Sequence, residues 1–153
     1  MREIKFRGKR KDTGEWVFGN YIKRNLDGIP QYYIYDNQWD ETEIDGYCDD
    51  DDAKIYLKDC FIEVIPETVG QFTGKQDRNS SDVFDGDIVK PQTTKLYTPT
   101  KEEIGAVYWD EKEAGFMIHW LDDDSRLGIS EFFRGVEIIG NIHDNPELLE
   151  EEK

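Results

Sequence analysis

Residues 16–35 have the sequence WVFGNYIKRNLDGIPQYYIY, in which two β-rich runs stand on either side of a tight-turn signal. The runs at residues 16–22 and 31–35 are dense in aromatic and β-branched side chains, which favour strands. Between them lies Asp27-Gly28, a dipeptide that suits the two central positions of a hairpin turn. The stretch therefore predicts an antiparallel hairpin.

The residues before this hairpin predict another strand. Residues 4–9 (IKFRGK) alternate apolar or small side chains with basic ones, the period of two that is typical of a half-buried strand. A turn at residues 12–15 then completes an antiparallel β-meander. Residues 36–52 contain nine acids and no Lys or Arg, which predicts a solvated acidic loop. Residues 54–65 are again rich in apolar and β-branched side chains, and Pro66 ends this run, so we assign residues 1–66 to an N-terminal β subdomain.

The second half of the chain also favours strands, at residues 87–90, 104–109, 115–121 and 136–142. Gly140-Asn141 predicts a bulge or a close backbone approach in the last of them. Asn145 and Pro146 suit the cap and first position of a short C-terminal helix. We predict a mainly β fold with short α elements (α+β), in which residues 67–153 form a small SH3-like barrel-type region. The two regions are either subdomains or one compact unit.

Composition and charge exclude several classes of protein. The chain has 153 residues and a net charge of −16, so it is not expected to bind nucleic acid tightly. Leu, Ile, Val and Phe make up 37 of the 153 residues, which is above the roughly 20% floor for disordered chains. We see no membrane-spanning run and no signal peptide, and therefore expect a cytoplasmic protein. Cys48 and Cys60 are expected to be free thiols.

Three ordered motifs resemble the YopX family of bacteriophages and prophages. The first motif is Ile4-Lys5-Phe6-Arg7-Gly8. The middle motif comprises QFTG at 71–74, DRN at 77–79 and FDGDIV at 84–89. The last motif is VEIIGNIHDNPELL at residues 136–149. The resemblance implies a phage-encoded accessory protein and carries no catalytic or binding residue with it. The middle motif also has a structural explanation, since Gly74 permits a positive φ and Asp77 can accept hydrogen bonds from its own loop.

The acidic residues and histidines do not match the sequence pattern of a catalytic or metal-binding site. Asp77-x-Asn79-x-Ser81 resembles the start of a calcium loop, but Asp82 and Ile88 stand where that loop needs Gly and Glu. Other candidates that we weighed and set aside are the acid runs at 49–52 and 122–124, the nuclease-like Asp52-Ala53-Lys54, and the isolated His119 and His143. We predict no catalytic residue, no cofactor and no metal.

A surface that combines basic and aromatic side chains is the remaining candidate. Residues 1–24 contain eight basic and three acidic residues, so the other residues sum to −21. We name as candidate partner-binding residues Lys5, Arg7, Lys9, Trp16 and Tyr21. Three interpretations stay open: pairing with the acidic loop or a neighbouring subunit, binding of another protein, and stacking of single-stranded nucleic acid.

From the sequence we expect a non-enzymatic protein that uses its acidic surface to bind a basic host or phage protein. The alternative is a metal-dependent hydrolase or nuclease that uses clustered carboxylates. Self-association is also expected, because residues 5–11 and 36–52 are complementary in charge and can meet across a symmetric interface.

Overall fold

The computed structural model describes residues 3–35, 61–91, 103–129 and 135–150. The acidic loop at 36–52, the Asp52-Ala53-Lys54 pattern and both cysteines lie outside these residues. Eleven strands are found in the described residues. They are β1 (Phe6–Lys9), β2 (Trp16–Leu26), β3 (Ile29–Tyr35), β4 (Phe61–Glu63), β5 (Gly70–Gln76), β6 (Asp82–Phe84), β7 (Asp87–Pro91), β8 (Gly105–Asp110), β9 (Gly115–Trp120), β10 (Arg126–Gly128) and β11 (Val136–Asn141).

The strands form two antiparallel sheets, ordered β4-β3-β2-β1-β5-β6 and β10-β9-β8-β7-β11. The chain divides into two compact units, which we call the N-terminal unit (Glu3–Gln71) and the C-terminal unit (from Phe72 onward). Strand β5 begins in the first unit and ends in the second. The mainly β fold is thereby confirmed, whereas the division into subdomains at 1–66 and 67–153 stays a prediction.

The hairpins of the N-terminal unit follow the turn signals. β2 pairs with β3 from Asn20↔Tyr35 to Leu26↔Ile29, and Asp27 and Gly28 between them both have positive φ. Ile34 and Val64 are buried on this sheet. A side chain at Gly8 would press on Val64, and one at Gly19 would collide with the carbonyl oxygen of Tyr35. Glycine at position 8 leaves room for the Val64 side chain, and glycine at position 19 leaves room for the backbone of β3.

The core of the C-terminal unit lies on one face of the second sheet. Its buried members are Val83, Val89, Val107, Phe116, Ile118, Trp120, Ile129 and Val136. The predicted β8–β9 hairpin is confirmed, with pairs from Gly105↔Trp120 to Asp110↔Gly115. The alternation of buried and half-buried residues along β9 places Phe116, Ile118 and Trp120 on the core side.

The SH3-like barrel is not confirmed, because neither sheet closes within the described residues. β10 and β11 are the two edges of the second sheet. β11 is bonded to the loop after β5: Arg78 N–H donates to the Val136 carbonyl at 3.1 Å, and Ile138 N–H donates to Asp77 Oδ2 at 3.2 Å. A loop therefore satisfies backbone groups of β11 that barrel closure would give to another strand.

Asp77 is the centre of that loop. Its side chain is buried, and Oδ1 accepts hydrogen bonds from Asn79 N–H at 2.8 Å and Ser81 N–H at 2.9 Å. Gly74 has a φ of 81°, as the turn chemistry predicted. β5 nevertheless continues to Gln76, with a register shift against β6, so the middle motif begins as an irregular strand and not as a loop.

The C-terminal motif makes a turn stabilised by two asparagines. The register of β11 shifts between Ile138 and Gly140, and a side chain at Gly140 would lie 2.6 Å from Asn145 Oδ1, so the predicted bulge and close approach are confirmed. Asn141 Oδ1 accepts from the N–H groups of the two residues after Ile142. The helix that follows, Pro146–Leu149, is a 3₁₀ helix. Asn145 and Pro146 take the predicted cap and first positions, but Asn145 Oδ1 accepts from Asn141 N–H and makes no capping bond to this helix.

Candidate functional site

The centre of the predicted basic and aromatic surface is Trp16, which lies beside two cations. Strand pairing sets Trp16 opposite Lys9 and Phe18 opposite Arg7. The Arg7 guanidinium carbon is 4.8 Å from the centroid of the Trp16 ring, and Lys9 Nζ is 5.4 Å from it. Arg7 is only 8% exposed, so its charge lies partly within the protein and the cation–π contact is partly desolvated.

Tyr21 does not belong to this surface. It is five residues from Trp16 on the same strand, and an odd spacing puts two side chains on opposite faces of a sheet. Tyr21 packs against Phe6 with ring centroids 5.4 Å apart and stacks on Tyr32 at 6.5 Å. Burial raises the pKa of Tyr21. The structure therefore joins Arg7, Lys9 and Trp16 and places Tyr21 on the other face.

The cations at the ends of β1 have acidic neighbours. Lys5 Nζ is 3.8 Å from Glu3 Oε1. Lys11 Nζ donates to Glu63 Oε1 at 2.7 Å, which raises the pKa of Lys11. These contacts are local to the N-terminal unit, and the predicted pairing with residues 36–52 lies outside the described residues.

Arg10 and Asp12 form a close pair in the turn after β1. Arg10 donates from Nε and Nη2 to the two carboxylate oxygens of Asp12, both at 2.9 Å. The hydrogen bond from Arg10 lowers the pKa of Asp12 to about 2. Both side chains are exposed to solvent, which weakens the contribution of such a pair to stability.

A second group of cations over aromatic rings lies on the β2–β3 hairpin, and the sequence reasoning missed it. The Arg24 guanidinium carbon is 5.0 Å from the Tyr33 ring centroid, and Arg24 Nε donates to Gln31 Oε1 at 2.8 Å. Lys23 Nζ is 5.5 Å from the Tyr32 ring. The available signal was the Asp27-Gly28 turn, since a two-residue turn there fixes the register that places each cation near its ring.

The other sequence candidates have structural partners. Asp123 accepts from Ser125 N–H, and Asp124 contacts His119, so this acid run does not converge on one point. Asp77 accepts three backbone N–H groups. Among the residues that the structure describes, no group of three or more His, Cys, Asp or Glu could hold a metal ion.

In the described part of the chain, no helix has the length and apolar character needed to cross a membrane.

Comparison with known proteins gives one family match. The family model described as YopX protein matches residues 5–150. The crystal structure of protein EF1440 from Enterococcus faecalis is similar to this chain, with 21% sequence identity and a TM-score of 0.49 over 98% of this chain and 100% of that one. No curated protein matches the sequence.

Proposed function

The chain belongs to the YopX family, and from the charges of its two units we propose that it is a non-enzymatic, phage-encoded accessory protein that acts through protein contacts. Its acidic surface binds a basic host or phage protein in the cytoplasm of the bacterial host. The observation that carries this proposal is the unequal distribution of charge between the units.

The described residues of the C-terminal unit include fifteen acidic and five basic side chains, whereas those of the N-terminal unit include six acidic and seven basic ones. A field of one sign steers a partner of opposite charge and repels the phosphate backbone of nucleic acid. The C-terminal unit is therefore the surface that we assign to a basic protein.

The way these carboxylates are held also supports binding over catalysis. Asp110 Oδ1 accepts from the N–H groups of Lys112 and Glu113, and these bonds lower the pKa of Asp110. Hydrogen bonds from Ser125 lower the pKa of Asp123 in the same way. Both groups are ionised at neutral pH, and each is bonded within its own turn.

Capture from phage-infected cells on the immobilised full chain tests the proposal. The variant Asp122→Asn/Glu147→Gln/Glu150→Gln removes three exposed carboxylates of the C-terminal unit, and Glu3→Gln/Asp27→Asn/Glu67→Gln removes three from the N-terminal unit as the matched control. We expect a basic protein on the wild-type chain and the control, and several-fold less of it on the first variant. Equal capture by both variants would contradict the assignment of the acidic surface.

The alternative function is a metal-dependent hydrolase or nuclease. Calorimetric titration of the full chain with Mn²⁺ separates the two functions. An accessory protein gives weak association that salt suppresses, because dispersed carboxylates hold cations only loosely. A saturable site with defined stoichiometry at high salt would favour the enzyme.

For the surface around Trp16 we propose pairing with acidic groups of this polypeptide or of a neighbouring subunit. Arg7 and Lys9 already contact the Trp16 ring, an arrangement that orders both cations for a carboxylate. Binding of another protein stays the second interpretation of this surface.

A further inference from the structure

The turn end of the β2–β3 hairpin is exposed on both faces. Every residue from 23 to 30 is exposed, although the two strands stay paired from Lys23↔Tyr32 to Leu26↔Ile29. We call residues 23–30 the hairpin tip. It is an ordered element that offers side chains on all sides.

The hairpin tip presents an aliphatic pair in front of two cations. Leu26 is 50% exposed and Ile29 is 65% exposed, and they face each other next to the turn. Arg24 lies behind Leu26 on the same face of the hairpin, over the Tyr33 ring, and Lys23 lies on the opposite face, over the Tyr32 ring. Asp27 is the acid of the tip, so its net charge is +1. This chemistry fits an apolar surface that is bordered by carboxylates.

The C-terminal unit has a surface of that kind. Trp109 is 43% exposed although its ring packs edge-on against Phe116, with centroids 5.1 Å apart. The last residue of β8, Asp110, and the β8–β9 turn that follows it include Glu111, Glu113 and one lysine, so residues 110–114 have a net charge of −2. We call this the Trp109 surface. It offers an exposed aromatic ring beside three carboxylate side chains.

We propose that the hairpin tip of one copy docks on the Trp109 surface of a second copy, with Leu26 and Ile29 on the indole and Arg24 facing Glu111 and Glu113. A second copy is the occupant because each chain supplies both complementary halves. The contact joins two different surfaces, so it closes a dimer by occurring twice or extends into a longer assembly. It does not involve the pairing of residues 5–11 with 36–52.

Sedimentation equilibrium of the full chain over a range of concentrations tests the aliphatic part of the contact. In the variant Leu26→Thr/Ile29→Thr the threonines keep the strand preference of the tip while the apolar surface is lost. We expect association to weaken by about tenfold or more. Ile4→Thr/Ile142→Thr, which changes two exposed isoleucines elsewhere, is the matched control and should associate as wild type does. Circular dichroism verifies that both variants fold.

Reversing the charges of the hairpin tip and of the β8–β9 turn tests whether these two surfaces bind each other. Lys23→Glu/Arg24→Glu and Glu111→Lys/Glu113→Lys should each be monomeric alone, because tip and turn then carry like charges. Mixing the two variants should restore association, since every tip again meets a turn of opposite charge.

Three results would overturn the proposal. They are a wild-type chain that is monomeric at its highest soluble concentration, tip variants that associate as wild type does, and a Glu111→Lys/Glu113→Lys variant that still self-associates. Vesicles of phosphatidylglycerol and phosphatidylcholine are the final arm. If the monomeric wild-type chain co-sediments with these vesicles and the Leu26→Thr/Ile29→Thr variant does not, the hairpin tip binds an anionic lipid surface. The proposal that it binds a second copy of the chain would then be wrong.

Discussion

Replacing Asp77 by alanine should unfold the chain at a clearly lower urea concentration. Asp77 is 5% exposed and accepts three backbone N–H groups, from Asn79 at 2.8 Å, Ser81 at 2.9 Å and Ile138 at 3.2 Å. A hydrogen bond to a charged acceptor contributes about 1.5–3 kcal/mol, and buried donors left without a partner cost a comparable amount. Because water can reach part of the loop after truncation, we expect a loss of about 3–5 kcal/mol in the free energy of unfolding.

Urea unfolding followed by tryptophan fluorescence measures this loss. With a slope of about 1–3 kcal/mol per molar urea, the midpoint should fall by about 1 M or more. Asp122→Ala removes an exposed aspartate and is the matched control, with an expected change within about 0.5 kcal/mol. Asp77→Asn should lie between the two, since its carbonyl still accepts from the loop while its amide faces Ile138 N–H. A stability of Asp77→Ala equal to that of the control would refute the structural role of this motif.

Four further predictions concern stability, ionisation and binding. Gly140→Ala should cost about 1–3 kcal/mol in urea unfolding, because the new methyl group meets the Asn145 side chain at 2.6–3.1 Å. The pKa of Asp12, about 2 in the folded chain, should return toward 3.8 in the variant Arg10→Gln, as measured by carboxyl NMR, and an unchanged pKa would contradict the Arg10–Asp12 pair. The stability that Asp12 contributes to the wild-type chain is present above its unfolded pKa and is lost as pH falls toward 2. Changing residues 49–52 to Asn should leave the thermal midpoint unchanged or raise it through relief of repulsion, whereas a drop of several degrees would show that this acid run supports the fold. Fluorescence anisotropy should detect no submicromolar binding of single- or double-stranded DNA at physiological salt, and such binding would mean that the basic residues near Trp16 govern a nucleic-acid site.

The local features of the fold could be predicted because their causes are local. Asp27-Gly28 determines both the position and the register of the β2–β3 hairpin, and Gly140 correctly predicted the irregularity in β11. In both cases the residues that determine the backbone lie within a few positions of the turn or bulge.

Long-range contacts could not be predicted in the same way. The bond between Asp77 and Ile138 joins residues that are 61 positions apart, and no local pattern shows that a loop bonds the edge of β11 that faces away from β7. The barrel prediction is not confirmed for this reason. Regular strand spacing indicates a sheet but carries no information on how its edges are satisfied.

The candidate site was predicted in part. The alternating pattern of β1 correctly grouped Arg7 with Lys9, and pairing with β2 brought Trp16 to them. Tyr21 was grouped with Trp16 because the two residues are close in sequence. The spacing of five residues along β2, however, places Tyr21 on the opposite face of the sheet. Arg24 entered the sequence analysis only as a positive charge. Its contact with the Tyr33 ring was not predicted, because that contact depends on the register of the whole hairpin.

The affinity of the captured basic protein for the full chain, measured by calorimetry at low and high salt, tests the central proposal most directly. We predict that affinity falls as salt rises and that Asp122→Asn/Glu147→Gln/Glu150→Gln binds more weakly than wild type at low salt, since screening and loss of carboxylates act on the same field. An affinity that is the same at both salt concentrations, and the same for the variant, would contradict recognition through the acidic surface.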